Sequence, residues 1–362
     1  MLPYIVVFFI AIIATYNAQR SKPNGLLFCV HSIFAIVPLV LLAAFRDYNV
    51  GSDTANYMYL FENAVENKES IIRYIYLHSS YEIGFLVHNF IIAQFVDTVV
   101  SYYIITYGII ITVAYASAFK LRKFISPYIF IFIYVLIFYS ESLNGMRQYI
   151  AISFILYAVA NLLTGRRIKY IIWTLFACLF HTSAIISLTI GGTYWLLQKY
   201  PLHNHKFLYM LICLAVLIVA VGMDRFANMG WLPVFEEKLE NHLTNTSSGG
   251  ISNSHIVVCL CTLIVLLFSY KRTPLCDLMV LTTIYVLIFY ISPNMNAILY
   301  RLTLYFNSMI CIAVSNVFSS VRASTKINVI LLLFLYIAFY VFSIIISGTH
   351  EVIPYTSKIL SI

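Results

Sequence analysis

A polar stretch separates two long apolar runs of this chain and carries a single arginine. The stretch reads Ser140-Glu141-Ser142-Leu143-Asn144-Gly145-Met146-Arg147-Gln148. An ionised guanidinium is costly to place near a bilayer, so an arginine in such a run indicates a functional site that meets an anion. The alternative is an arginine that extends its charged end to the lipid headgroups. On a helix that begins near residue 142, i, i+3 and i+4 spacing puts Asn144, Arg147, Gln148 and Ala151 on one face.

A second arginine, Arg301, repeats this arrangement. Asn294, Asn296 and Tyr300 precede it, and an apolar run follows from Leu302, where we expect a helix to begin. The dipole at a helix N-terminus disfavours a cation unless an anion lies there too. Helix N-termini and guanidinium groups both bind phosphate, so two such arginines on one face suggest a diphosphate. Extension to the headgroups is the alternative for this arginine as well.

Three more residues are candidates for the same site, and each has a structural alternative. Arg46 ends an apolar run, where a cation can also simply anchor the helix at the interface. Asp53 precedes a helical run over 54–62, so it is either the N-cap or a general base for a sugar hydroxyl. His181 lies where an apolar segment is expected to break, and it either fills the core or lines a cavity. Further polar candidates are Tyr57, Glu62, Glu82, His88 and Glu141.

The composition requires a membrane fold to position these residues. The chain is 62% hydrophobic and 10% charged, with a mean hydropathy of +0.90. Its apolar runs are about the 20 residues that a helix needs to cross a bilayer. We therefore predict an all-α polytopic membrane protein, a single integral membrane domain over 1–362, with about ten transmembrane helices plus one or two re-entrant or broken segments. The expected spans are 2–18, 25–45, 98–118, 125–140, 143–163, 207–223, 255–270, 275–292, 301–319 and 327–347.

Other classes of protein fit poorly. The seven cysteines lie in or beside apolar helices, without the paired spacing of a zinc site or the loop placement of a disulfide framework. The net charge of +8 is scattered between spans, so nucleic acid is not an expected partner. We find no metal-ligand set, no glycine-rich phosphate loop and no nucleotide-binding domain. No cofactor is therefore expected.

The basic connectors predict the orientation of the chain. They hold 14 of the 22 lysines and arginines, and the positive-inside rule places them in the cytoplasm. All these connectors can lie on one side of the membrane only if the ambiguous segments 81–96 and 170–198 make no net crossing. The first is then re-entrant or lies on the surface, and the second is a hairpin broken near His181 that implies a cavity. This topology places on the outer side Arg46, Arg147, Arg301 and the loops 46–80 and 224–254. The second loop is expected to contain an interfacial helix near Trp231.

Three motifs together resemble the EpsG-like family of bacterial polysaccharide polymerases, which is related in role to the Wzy O-antigen polymerases. The resemblance covers about 40 to 190, with an echo at Arg301-x3-Tyr305-Phe306. Its motifs are Arg46-x4-Gly51-x-Asp53-Thr54-x2-Tyr57, Asn144-x2-Arg147-Gln148-x2-Ala151 and Ala177-x2-Phe180-His181-x-Ser183-Ala184.

The resemblance implies an enzyme of the bacterial inner membrane that acts on the outer leaflet. It would transfer a growing glycan from undecaprenyl diphosphate to an incoming lipid-linked repeat unit, and a chain-length-regulating protein is a further possible partner. Arg147 and Arg301, with Arg46, would bind the diphosphate. His181 would contact phosphate or sugar, and Asp53 would activate the acceptor hydroxyl. The expected sugar contacts are Tyr57, Asn144, Gln148 and Glu141.

Three rival functions remain open on the sequence. An O-antigen ligase or another outer-leaflet glycosyltransferase needs the same diphosphate site with a different acceptor. A secondary transporter or flippase also uses broken helices and buried arginines. A membrane acyltransferase would need a basic catalytic residue near a thioester donor on the inner side, and His181 is too isolated to support it.

Overall fold

The computed structural model describes residues 1–227, 253–292, 297–320 and 323–362. Helix accounts for 78% of the structure and the described residues contain no β-strand, so the predicted all-α fold class is confirmed. The helices fall into two compact units. Unit 1 comprises Met1–Ile185 and Val314–Ile362, and unit 2 comprises Ile186–Ala313.

The helices are numbered here in chain order. Those in the first part of unit 1 are α1 (Leu2–Arg20), α2 (Leu26–Ala44), α3 (Thr54–Glu66), α4 (Ile71–Leu77), α5 (Ile83–Ala93), α6 (Val99–Lys120), α7 (Pro127–Tyr134), α8 (Ser140–Asn144), α9 (Met146–Leu163) and α10 (Arg167–Cys178). A π-helical turn, Val135–Tyr139, joins α7 to α8. Unit 2 contains α11 (Leu188–Lys199), α12 (Lys206–Ala227), α13 (Asn253–Phe268), α14 (Pro274–Tyr290) and α15 (Ala297–Asn307). The boundary between the units falls within α16 (Met309–Ser320), and α17 (Ala323–Tyr340) belongs to unit 1.

Polar caps define where several of these helices begin. The side chain of Ser70 accepts a hydrogen bond from the Arg73 amide at the start of α4, at 3.3 Å. Thr98 caps α6 in the same way through the Ser101 amide, also at 3.3 Å. Each cap satisfies one of the amides that a helix N-terminus leaves without an intrahelical partner.

Seven helical stretches of the described chain are long and apolar enough to cross a membrane. They are Leu2–Arg20, Leu26–Ala44, Val99–Lys120, Pro127–Asn144, Met146–Leu163, Leu299–Ser320 and Lys326–Ile346. The remaining predicted spans, 207–223, 255–270 and 275–292, correspond to shorter apolar helices of 10–17 residues. Every predicted span therefore coincides with an apolar helix, as expected of a multi-pass membrane protein.

Neither segment that the sequence left ambiguous forms a single helix long enough to cross a membrane. The first forms α5, whose 11 residues rise only about 16 Å. The second is broken as predicted, because α10 ends at Cys178 and a 3-10 turn, Thr182–Ser187, precedes α11. His181 lies in that break.

The first predicted loop is largely helical. Residues 46–80 contain α3 and α4, and α3 begins at Thr54 as the sequence predicted. Most of the second loop, 224–254, and its predicted interfacial helix near Trp231 lie outside the described residues.

The C-terminal tail, residues 348–362, is bound to the segment that precedes α3. The Asp47 amide donates to the Thr356 carbonyl at 3.0 Å, and the Gly51 amide donates to the Glu351 carbonyl at 2.9 Å. The Lys358 amide donates back to Asp47 Oδ1 at 3.0 Å. Spacing along the sequence does not predict these contacts, because they join positions about 300 residues apart.

Two polar clusters of unit 1 lie at opposite ends of α1. Near its start, the Tyr4 hydroxyl donates to the tail carbonyl of Val352 at 3.0 Å. Near its end, Gln19 Oε1 accepts from the Ser126 hydroxyl at 3.3 Å. The predicted topology assigns both segments of the first cluster to the outer side of the membrane. It assigns both segments of the second cluster to the inner side.

Gly84 allows α5 to touch the broken segment. Its amide donates to the Leu179 carbonyl at 2.9 Å, so the backbone exposed by the break is satisfied from another element. A Cβ built on Gly84 would lie 2.6 Å from that carbonyl oxygen. Only glycine permits this approach.

We therefore expect Gly84→Ala to destabilise the protein by about 1–3 kcal/mol through overpacking against backbone. The measurement is the thermal unfolding midpoint of the purified protein in detergent. Gly108→Ala is the control, since a Cβ on Gly108 of α6 meets nothing within 4 Å. Equal midpoints for the two variants would contradict the packing at Gly84.

Candidate functional site

Arg147 is the second residue of α9 and directly follows the break at Gly145. Its Nη1 donates to Glu82 Oε2, so the guanidinium forms an ion pair with the residue that precedes α5. The ring centre of Tyr81 lies 4.7 Å from the guanidinium carbon, within cation–π range. Arg147 lies in the first turn of a helix, as predicted, but that helix begins at Met146 and not near residue 142. Asn144 is the last residue of α8, so the prediction that Asn144 and Arg147 share one helix is wrong. The anion beside this cation is Glu82, to which the sequence analysis assigned no specific role.

The Nε–H of Arg147 is buried and meets no hydrogen-bond acceptor in the part of the chain that the structure describes. A buried donor left unsatisfied costs about 1–3 kcal/mol. Arg147 nevertheless keeps 23% of its side chain exposed, so the group is not sealed inside the protein. An acceptor-rich ligand such as a phosphate would satisfy this donor.

Two further aromatic rings lie near this guanidinium. Phe85 lies 5.9 Å from the Arg147 guanidinium carbon, and the ring of Tyr57 packs edge-on against Phe85 at 5.8 Å. Burial raises the pKa of Tyr57, although the neighbouring Arg147 guanidinium opposes the shift. Tyr57 therefore stays a neutral phenol, able to donate a hydrogen bond but unsuited to accept a proton as a base.

Asn144 joins the start of α9 to the segment that carries Asp53. Its Oδ1 accepts from the Ser52 hydroxyl at 2.7 Å and from the Asp53 amide at 2.8 Å. Gly51 makes this approach possible, because its φ is +94° and an added Cβ would lie 3.0 Å from the Leu143 carbonyl oxygen. Two of the motifs identified in the sequence are thus in direct contact.

Asp53 occupies the N-cap position of α3, but its carboxylate makes no capping hydrogen bond to that helix. The backbone of Asp53 is held by Asn144 instead. The predicted N-cap position of Asp53 is therefore confirmed, but its carboxylate does not cap the helix. A role as general base stays a prediction.

Arg46 has a different environment from Arg147. It is only 6% exposed, and its guanidinium donates to the carbonyl of Ala43 and, at 3.1 Å, to the hydroxyl of Tyr107. Longer contacts of 3.4 Å reach Thr54 Oγ1 and the Leu143 carbonyl. Protein groups thus occupy much of its donor capacity, which favours a structural role that joins four elements over the predicted role in diphosphate binding.

Glu141 belongs to a neighbouring polar cluster. Its carboxylate accepts from the Tyr149 hydroxyl and lies 3.6 Å from Nε2 of His350 in the C-terminal tail. The sequence analysis did not identify His350, since nothing local relates the tail to residue 141. Both Glu141 and the nearby Gln148 are more than nine-tenths buried, so contact with a sugar would require them to become more accessible.

His181 lies in the break that contacts α5. Its Nδ1 is 2.5 Å from the Ser183 hydroxyl, a hydrogen bond within the break itself. The ring of the adjacent Phe180 packs against Phe154 of α9, with 6.0 Å between centroids. Contacts with Gly84 on one side and α9 on the other therefore bring this break to the two helices that carry the ion pair between Arg147 and Glu82.

Arg301 lies in unit 2 and is partly exposed. Its helix, α15, begins at Ala297 and not at Leu302 as the sequence suggested, so Arg301 falls in the second turn. The preceding Asn294 and Asn296 lie outside the described residues. The predicted role of Arg301 at a diphosphate stays a prediction.

Residues able to ligate a metal do not cluster in the described part of the chain. The ranges 1–227, 253–292, 297–320 and 323–362 contain no group of three or more His, Cys, Asp or Glu side chains suited to a metal ion. The polar groups at the start of α9 are instead one guanidinium, two carboxylates, an amide and a phenol.

The same substitution should affect protein stability differently at the two arginines, Arg46 and Arg147. We expect Arg46→Met to destabilise the protein by about 2–3 kcal/mol, because it leaves buried carbonyl groups without donors. Arg147→Met should keep a midpoint close to that of the wild type, since its side chain is partly exposed. Thermal unfolding in detergent measures both. A larger loss of stability from Arg147→Met would reverse the assignment of a structural arginine and a site arginine.

Comparison with known proteins gives the family but no individual relative. A search of curated proteins and a search of solved structures each found no significant match. A sequence model of the EpsG family matches residues 29–357, which include the three motifs, Arg301 and most of the C-terminal tail. The match covers most of the chain, and it agrees with the resemblance drawn from the motifs. This chain therefore belongs to the EpsG family, which indicates a membrane protein of polysaccharide biosynthesis.

Proposed function

We propose that this protein is an outer-leaflet glycosyltransferase of the bacterial inner membrane that polymerises undecaprenyl-diphosphate-linked repeat units. The product would be an O-antigen, a capsule or an exopolysaccharide. Membership of the EpsG family and the multi-pass helical fold support the general assignment to polysaccharide biosynthesis. The chemistry of the residues around Arg147 supports the finer assignment.

The observation that carries the proposal is the environment of Arg147. A guanidinium at a helix N-terminus, with one buried donor that has no acceptor among the described residues, is suited to bind an anion rich in acceptor oxygens. A lipid-linked diphosphate has such oxygens. Its lipid also keeps it in the membrane, where a multi-pass protein can bind it. The aromatic rings around Arg147 reduce local access of water, which strengthens the attraction.

The proposed reaction is a direct displacement at the first sugar of the growing chain. The acceptor hydroxyl oxygen forms a bond to the anomeric carbon, while the bond from that carbon to the diphosphate oxygen breaks. Undecaprenyl diphosphate departs with the electron pair, and its developing charge is stabilised by Arg147. Asp53 takes the proton of the acceptor hydroxyl.

The remaining groups position the two substrates. Asn144 fixes the backbone of Asp53 by a 2.8 Å hydrogen bond, so the proposed base is held beside α9. His181 would contact the phosphate or the sugar from the adjacent break. Correct placement of reacting groups can contribute as much to the rate as charge stabilisation does.

We expect Arg147→Lys to lose most polymer formation, by about 100-fold or more, because lysine keeps the charge but not the planar set of donors. Purified protein in nanodiscs would receive synthetic undecaprenyl-diphosphate repeat units, and product length would be read by mass spectrometry. Arg73→Lys is the matched control, since Arg73 of α4 is exposed and distant in sequence from the motifs.

Polymer of normal length and amount from Arg147→Lys would contradict the assigned role. The same preparation separates the rival functions. A ligase would join glycan to a different acceptor without extending the repeat units, and a transporter would move lipid-linked units across the bilayer without forming a glycosidic bond.

The orientation can be tested by cysteine labelling. We expect Arg122→Cys to stay unreactive towards a membrane-impermeant maleimide in intact cells, because the positive-inside rule puts it in the cytoplasm. Tyr48→Cys, which replaces an exposed residue near the C-terminal tail, should react. Labelling would be compared with that of a background lacking the seven native cysteines. The reverse pattern would place Arg147 on the cytoplasmic side and overturn the proposed access to outer-leaflet substrates.

A further inference from the structure

A carboxylate already occupies one side of the Arg147 guanidinium. Glu82 Oε2 accepts from Arg147 Nη1, and the carboxylate is only 12% exposed. Glu82 occupies the N-cap position of α5 but makes no side-chain hydrogen bond to that helix end. Its engagement with Arg147 is therefore not explained by the need to cap α5.

A bound phosphate and this carboxylate would compete for the same cation. Two negative groups that approach one partly buried guanidinium repel each other, and the repulsion is strong where water is scarce. Tyr81, Phe85 and Tyr57 lie beside Arg147 and reduce its contact with water. An anion would therefore bind Arg147 more tightly once Glu82 has moved away from it.

We propose that Glu82 is the resident counter-ion of the anion site and is displaced when the diphosphate of the substrate binds. The inference rests on the proposed function and identifies how the same site would release its product. While the site is empty, Glu82 compensates the charge of Arg147 and holds its side chain in place. After transfer, Glu82 competes with the departing undecaprenyl diphosphate for Arg147 and so speeds its release.

The competition should be visible in anion affinity. We expect Glu82→Gln to bind inorganic pyrophosphate about tenfold more tightly than the wild type, since the neutral amide no longer competes for Arg147. The measurement is isothermal titration calorimetry on the full-length protein in detergent at constant ionic strength. In the polymerisation assay, the same variant should lower both KM and kcat, because substrate is held more firmly and product leaves more slowly.

A matched control separates this effect from a change in overall charge. Lys68 and Asp97 form a second, more exposed ion pair in unit 1, and Asp97→Asn alters the net charge by the same amount away from Arg147. It should leave pyrophosphate affinity within about twofold of the wild type. In an Arg147→Met background, Glu82→Gln should have no effect on that affinity.

Unchanged or weakened pyrophosphate binding by Glu82→Gln would overturn the inference, and so would an equal gain from Asp97→Asn. Glu82→Ala gives an independent check if the glutamine variant folds poorly, and it is expected to change affinity in the same direction. The wild type in the polymerisation assay tests the proposed function separately. Polymer formed by the wild type, together with unaltered affinity in the Glu82 variants, would retain the enzyme and reject the counter-ion.

Discussion

The candidate site depends on the ion pair between Arg147 and Glu82, which lies where two helices begin. The dipoles of α5 and α9 both present positive ends where these residues lie, and Arg147 adds a full positive charge. The Glu82 carboxylate compensates all three. Two residues after Glu82, the Gly84 amide of α5 donates to the break that contains His181.

The sequence predicted features that local physics determines and missed those that distant contacts determine. Apolar runs located the spans, and the short arms on either side of His181 predicted the broken helix. The start of α3 followed from the residues around Asp53. The pairing with Glu82 and the contact of His350 with Glu141 join residues 65 and 209 positions apart, and spacing along one chain carries no signal of them.

The same limit explains why two arginines of one motif set differ. Arg46 ends one apolar run and Arg147 precedes another, and the family resemblance implied that both bind a diphosphate. The structure distinguishes them by their partners. Arg46 contacts carbonyl and hydroxyl groups of the protein, whereas Arg147 contacts the carboxylate of Glu82 and the hydroxyl of Tyr57 and keeps one donor that has no acceptor among the described residues. Residue type predicts that a charge needs compensation, but only the fold determines what supplies it.

The segment that carries Asp53 is fixed before any substrate arrives. Asn144 holds it from the side of α9, and the C-terminal tail holds it through the amides of Asp47 and Gly51. An unsupported connection of this length would have to be ordered during the reaction, at a cost in entropy that would raise the barrier. Here the segment is already ordered when the protein folds. The tail helps to order it, although the tail lies far from the motifs in sequence. In the proposed reaction, the rigidity of this segment would suit Asp53 to act on a hydroxyl that the substrate brings to it, and the exchange of anions at Arg147 would be the mobile step.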